Sequence, residues 1–259
     1  MKIVAHDGIF HGDEIFALAV LKLIYPDAEI IRTRDEKVFS EADLLIDVGI
    51  KFDNEKLFDH HQLDFKEKRK NGIPYASAGL IWRKFYNKIT NEKVYNYLDR
   101  RIFEFIDAED SGIRTFESKQ CETYTVSNII NGMNGSEKSD KVFFEVLNFV
   151  IKLLSNEIYR AEKLFEAEEI IKEKLKLVNE EYLVLEKYIP WENWLVGNPK
   201  IKFVICQGEG SKDWCSCAVP ANLEDFEKIA YFPTEWAGLT GRDLERVTGV
   251  DGAVFCHKH

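Results

Sequence analysis

Four short apolar runs in the first sixty residues constrain this chain most: positions 2–5, 28–31, 44–46 and 56–58. Each is continuous rather than alternating, which predicts strands buried on both faces of a mostly parallel sheet. A helical stretch at 14–24 separates the first two, and further helices are expected at 77–86 and 92–106. The fold class is therefore α/β, with helices on both faces of the sheet. A long charged amphipathic stretch at 141–177 has helical periodicity and no proline. Beyond Pro190 the texture changes to Trp-rich turns and short strands, expected at 202–205, 214–218 and 252–255, with a helix near 239–247. That predicts a smaller C-terminal α+β domain.

The same strands end on chemically active residues, where ligands of parallel sheets collect. Of six histidines, four fall in two clusters: His6 with His11 after the first strand, and His60-His61 after the fourth. Asp7 and Asp13 accompany the first cluster, Asp47 follows the third strand, and Asp59 precedes the histidine pair. Asp107-Ala108-Glu109-Asp110 closes a predicted helix. A lone histidine at a strand end is usually a hydrogen-bonded structural residue, and Asp47 alone could cap a turn. Three strand ends carrying His-x4-His-x-Asp, Asp and Asp-His-His are hard to attribute to packing. Imidazole and carboxylate together suit Mn²⁺, Fe²⁺, Co²⁺ or Zn²⁺ without any cysteine. There are enough ligands for two metals sharing a bridging carboxylate, the arrangement that supports in-line displacement at phosphorus.

Charge narrows the substrate. The net charge of −10 argues against a long duplex held along a basic face, since that affinity depends on phosphate neutralisation. Bound divalent metals would add positive charge among the acids, so a short or single-stranded phosphate substrate stays open. No apolar run approaches the ~18 residues needed to cross a bilayer. The N-terminus meets His6, Asp7 and His11 before a signal-peptide core could form. Five cysteines at irregular spacing fit a reducing compartment, so a cytoplasmic, membrane-free protein is expected.

His6 to Glu14 (HDGIFHGDE), Asp47-Val48-Gly49, Asp59-His60-His61-Gln62 and Ser77-Ala78-Gly79-Leu80 together resemble the Myg-type exonuclease family. That family takes its name from the melanocyte proliferating gene and is also labelled metal-dependent protein hydrolase. It looks like a branch of the DHH phosphoesterase superfamily. The resemblance extends through Asp107 to Gly112 and the 239–257 stretch, nearly the whole chain. It implies a DHH-like metal-binding domain over 1–138, a helical connector over 139–180 and a C-terminal domain over 181–259 that closes over the site and selects substrate. It also implies two divalent metal ions, Mn²⁺ first, with Mg²⁺, Co²⁺, Fe²⁺ or Zn²⁺ as alternatives. One would take His6, His11 and the bridging Asp47. The other would take Asp13, the same Asp47, His60 and Asp107, with Asp110 the rival of Asp107 or a holder of water or substrate. His61 would face the substrate phosphate while Asp59 orients the neighbouring imidazole. The commoner superfamily spacing is His-x3-Asp-x-Asp, so the middle imidazole here, His11, bears on geometry and metal preference.

Further contacts to substrate are expected from Arg101, Arg114 or the Lys66-Lys68-Arg69-Lys70 run, which otherwise reads as a solvated loop. Ser77, Ala78 and Gly79 open a helix whose free N–H groups could receive a phosphate, or are small because packing is close. In the C-terminal third, Cys206, Cys215 and Cys217 read as buried strand cysteines rather than a zinc site. Trp191, Trp194, Trp214 and Trp236 read as core or interface residues. His257, Lys258 and Arg242 are candidate substrate contacts by analogy, and the family's glycine-rich end is expected to continue past Phe255-Cys256-His257. The first functional expectation is a two-metal phosphodiesterase that removes nucleotides from short RNA or DNA ends. The alternatives are a small-molecule phosphohydrolase acting on a nucleotide, cyclic dinucleotide or pyrophosphate-like compound, and a metal-binding scaffold without catalysis. The long charged stretch could pair with its own copy in a homodimer or brace its own chain.

Overall fold

A computed structural model describes residues 1–113, 121, 123–135, 139–223 and 227–258. The chain divides into two compact units, Met1–Glu162 and Lys163–His259. In the first, β1 (Lys2–Ala5), β2 (Glu29–Arg32), β3 (Leu44–Ile46) and β4 (Leu57–Phe58) form one parallel sheet in the order β2-β1-β3-β4. The expected apolar runs are these strands, displaced by no more than a residue. Ile3 pairs with Leu44 and Leu45 with Leu57. The central strands are buried at consecutive positions, Ile3-Val4-Ala5 and Leu44-Leu45-Ile46, which requires cover on both faces. On one face Val4 and Leu45 pack with Ala42, Val48 and the side chains of Val38 and Phe39 from α2 (Glu36–Phe39).

Helix α1 (Gly12–Ile24) packs against α3 (Ser77–Phe85) and is buried at every position from Gly12 to Leu21. A helix with no solvent face carries its first-turn acids inside with it. The single helix expected at 92–106 is instead α4 (Glu92–Leu98), a π-helical turn (Asp99–Phe103) and α5 (Glu104–Asp110). In the π turn, Phe103 stacks on the buried Trp82 at 4.5 Å. A wider turn removes one residue from the α-helical phase, an effect the apolar spacing cannot show. Helix α6 (Val126–Gly132) begins with a reciprocal capping box between Thr125 and Asn128.

The 38-residue α7 (Asp140–Leu177) runs across the division between the units. In the second unit, β5 (Tyr182–Leu185), β6 (Phe203–Gln207) and β7 (Trp214–Ala218) form a mixed sheet, with β5 parallel and β7 antiparallel to β6. Leu183, Leu185, Val204 and Cys206 pack with Trp191, Leu195 and with Ala167 and Ile171 of α7. Helix α8 (Glu192–Leu195) and helix α9 (Gly241–Thr248) complete the unit. Strand β5 was not foreseen, because its four residues sit between Glu181 and Glu186 and alternate too briefly to register. The strand expected at 252–255 is a turn: Gly252 takes φ +76°, and Phe255 makes one isolated bridge to Thr240. Cys206 is buried on β6 opposite Cys215 at 3.8 Å, and burial pushes its thiol up to about 11. No helix among the described residues is long and apolar enough to cross a membrane.

Candidate metal centre

Residues from three strand ends and two helices converge beyond the carboxyl edge of the first sheet. His6 follows β1 and is buried. Its Nδ1 lies 3.0 Å from the Asp7 carbonyl, which can only accept, so the neutral ring keeps its proton there. Burial lowers the pKa of His6 and keeps it neutral, leaving the Nε2 lone pair directed at Glu14 and, at 3.4 Å, at Asp47 Oδ2. His11 stands at the N-cap of α1 with an exposed ring 5.8 Å from that of His6.

Asp47 ends β3 with φ +54°, a left-handed conformation uncommon outside glycine. That turn, followed by Gly49 and Ile50 also at positive φ, brings its carboxylate back over the strand ends. Ser77 Oγ lies within donating reach of two acceptors, Asp47 Oδ1 (3.2 Å) and the Phe58 carbonyl (3.0 Å). His60 places Nε2 2.8 Å from Asp110 Oδ2 and Nδ1 3.6 Å from Asp47 Oδ1. Asp59 is already committed to other donors. It accepts from the backbone N–H groups of Ile50 (2.7 Å) and His61 (3.0 Å) and from His61 Nδ1 (2.8 Å). Burial raises Asp59, but these bonds outweigh it and hold the carboxyl below its ordinary value. His61 is raised to about 9 by its bond to Asp59, with burial opposing, and is a cation at neutral pH.

Ligand atoms of His6, His11, Glu14 and Asp47 lie within 4.8 Å of one another, as do those of Asp47, Asp59, His60 and His61, and those of Asp13, His60 and Asp110. Asp47 belongs to the first two groups and His60 to the last two. The chemistry of the donors tests whether they fit divalent metals. All oxygens of Asp13 and Glu14 are buried with no hydrogen-bond partner of ordinary geometry among the described residues. Burial, with the charge of Asp47, pushes both carboxyls well above their usual range. Burial likewise raises Asp47 against the pull of three imidazoles. Facing acids without donors fit a cation, and an all nitrogen-and-oxygen set fits borderline or hard divalent ions.

Other expected residues are engaged differently. Asp107 is fully buried and belongs to none of these ligand groups: its Oδ2 receives Arg69 Nε at 2.8 Å and its Oδ1 the Gly79 N–H at 3.0 Å. The anion at the start of α3 is thus a side chain of the protein itself, and Ser77 and Gly79 are buried. Arg69, within the supposedly solvated basic run, is buried and also bonds Asp99 at 2.6 Å. Arg101 approaches Glu157 at 3.6 Å. His257 belongs to the second unit, with its ring against Phe255. Arg114 lies outside the described residues. Glu14 was missed as a candidate, since an acid in a first helical turn reads as dipole compensation; its full burial is what sets it apart.

The groups open on a cleft of about 560 Å³ lined by His11, Asp13, Asp47, His60, His61, Glu109 and Asp110 on one side and by Ser127, Asn128 and Asn131 of α6 on another.

Comparison with known proteins places the chain as a whole. The family model MYG1_exonuc, described as Uncharacterised protein family (UPF0160), matches residues 2–259. The MYG1 protein of Chlamydia trachomatis is 30% identical over 98% of this chain and 88% of its own length. The MYG1 protein of Dictyostelium discoideum is 28% identical over 99% of this chain and 90% of its own. The human protein named MYG1 exonuclease is 27% identical over 99% of this chain and 80% of its own. No solved structure matches. With a family match along the whole sheet, cleft and second unit, the chain belongs to the MYG1 family.

Proposed function

We propose that this chain is a divalent-metal-dependent phosphodiesterase, an exonuclease that releases nucleotides from short RNA or DNA. The observation that carries the reading is the convergence of His6, His11, Asp13, Glu14, Asp47, His60 and Asp110 in ligand groups linked through Asp47 and His60, with all but His6 and Glu14 lining one cleft. The exonuclease name of the human relative supports the reaction class. We assign one divalent ion to His6, His11, Glu14 and Asp47, and a second to Asp13, Asp47, His60 and Asp110. Asp110 takes the place the family pattern left open between itself and Asp107, because Asp107 is already committed to Arg69 and Gly79. Mn²⁺ is the proposed metal, and a DHH-like fold the proposed relationship.

When bound, such a pair of ions supplies an activated water near neutral pH and offsets charge at phosphorus. The protein's own groups do the rest. His61, cationic and held by Asp59, presents positive charge toward the open cleft, where a non-bridging phosphate oxygen would accept from Nε2. Asp59 fixes that imidazole through Nδ1, with its own carboxylate fixed by two backbone donors. His6 keeps Nε2 free by donating through Nδ1 to Asp7. Residues 181–259 are proposed to select the substrate, residues 139–180 to connect, and a cytoplasmic setting goes with the odd cysteine count.

Hydrolysis of a 5′-labelled RNA pentamer by metal-stripped protein, with and without Mn²⁺ and with His60→Ala alongside, tests this. Stepwise shortening that needs both metal and His60 is expected, and the ladder sets the polarity. Metal binding without cleavage would replace the exonuclease reading with a small-molecule phosphohydrolase. Failure to bind metal would overturn the ligand assignment.

A further inference from the structure

The wall of the cleft formed by α6 carries no charge. Asn128 is spent on the capping box, its Oδ1 receiving the Thr125 N–H at 2.9 Å while its own N–H donates to Thr125 Oγ1 at 3.2 Å. Ser127 and Asn131 stand four residues apart, hence on one face of the helix. Both line the cleft, and neither side chain has a hydrogen-bond partner among the described residues. The helix is held in place from both ends. At one end Thr125 Oγ1 donates to Glu109 at 3.1 Å. At the other, the Asn134 amide brackets Phe10 by accepting from its N–H at 3.1 Å and donating to its carbonyl at 2.8 Å. Phe10 lies in the loop between His6 and His11, so α6 is tied to the segment that carries the ligands. A Cβ at Gly12 would stand 3.1 Å from Ser127 Oγ, so the glycine there permits this approach. A cleft of about 560 Å³ is the size that takes one small ligand.

Resting on the phosphodiesterase reading, we propose that Ser127 and Asn131 form a nucleoside subsite for the nucleotide whose phosphate lies against His61. A carboxamide offers a donor and an acceptor side by side, the pattern that pairs with a base edge. A hydroxyl one turn away suits a sugar hydroxyl, the group that separates ribose from deoxyribose. The neutral wall meets the neutral part of the substrate, and the metal ligands and His61 meet the phosphate.

The test compares wild type, Asn131→Ala and Ser127→Ala on an oligoadenylate RNA pentamer, its deoxy counterpart and bis(p-nitrophenyl) phosphate, a diester without a nucleoside. Asn131→Ala is expected to lower kcat/KM on the pentamer roughly 10–100-fold, at least tenfold more than on the nitrophenyl diester. Ser127→Ala is expected to narrow the ratio of RNA to DNA cleavage. Parallel losses on all three substrates, or none, would overturn the subsite. Calorimetric binding of AMP and of inorganic phosphate separates this proposal from the catalytic one. If wild type cleaves no diester, the phosphodiesterase reading falls. A preference for AMP over phosphate that Asn131→Ala abolishes would still sustain the subsite, and equal binding of the two would overturn it.

Discussion

At position 79 a Cβ would stand 2.0 Å from Asp107 Oδ2 and 2.7 Å from its Cγ. The carboxylate cannot retreat without releasing Arg69. Gly79→Ala should therefore cost roughly 1–3 kcal/mol, read as a lower denaturation midpoint; an unchanged midpoint would contradict the contact. His61 offers a second residue-scale test, in metal-stripped protein. Its raised value means that its stabilising contribution is complete below pH 6.5 and is lost as pH rises through about 9. Asp59 acts in the opposite sense, contributing above 3.8 and losing that contribution as pH falls through its lowered value. The His61 ring proton should titrate by NMR near 9, and near the ordinary 6.5 in Asp59→Asn. A wild-type midpoint near 6.5 would refute the pairing.

Helix α5 is the element that divides structure from chemistry. Within its last turn, Asp107 turns to Arg69 and the start of α3, while Asp110 turns to His60. Arg69 anchors the loop after the histidine pair through Asp107 and Asp99 together, and its guanidinium lies 4.6 Å from the Tyr75 ring centroid. Breaking a buried pair from one side strands a charge, so Arg69→Met should cost ~3–5 kcal/mol. The double variant Arg69→Met/Asp107→Asn should lose less than the sum of the single losses, because only the partly exposed Asp99 is left without its partner. A strictly additive denaturation cycle would show that the pair does not couple the loop to α5. Sequence could place both aspartates on one helical turn. It could not say which faced a buried arginine, because that arginine arrives from a charge run indistinguishable from a solvated loop.

For the whole molecule, the buried acids set how stability answers to pH and metal. Asp13, Glu14 and Asp47 hold their protons more tightly folded than unfolded. The folded state then binds more protons, so stability of the metal-free protein should fall as pH rises from the acid range toward neutrality. A divalent ion competes with those protons and should reverse the slope. At a hundredfold excess over its dissociation constant it should add about 2.7 kcal/mol, seen as a rise in Tm that a chelator removes. Equal Tm with and without Mn²⁺ at pH 7.5 would count against a metal bound by these acids.

The strands, their parallel pairing and the strand-end histidines and aspartates were legible in the amino-acid sequence. Continuous apolar runs need cover on both faces, and consecutive residues at a strand end stay together however the chain folds. Parallel strands put their carboxyl ends on one edge, so His6, Asp47 and His60 could be expected near one another from order alone, and they do fall in ligand groups that share Asp47. The same local logic fails where a role depends on a partner distant in sequence. Glu14 had no signal of its own until the first turn of α1 proved to be interior, and Gly79 looked like a phosphate cradle until Asp107 filled it. Ser127 and Asn131 had no local signal at all, since a serine and an asparagine on a short helix acquire meaning only when Asn134 ties that helix to Phe10, 124 residues away. Periodicity and residue type decide what a segment buries, whereas only the tertiary structure decides what each buried polar group meets.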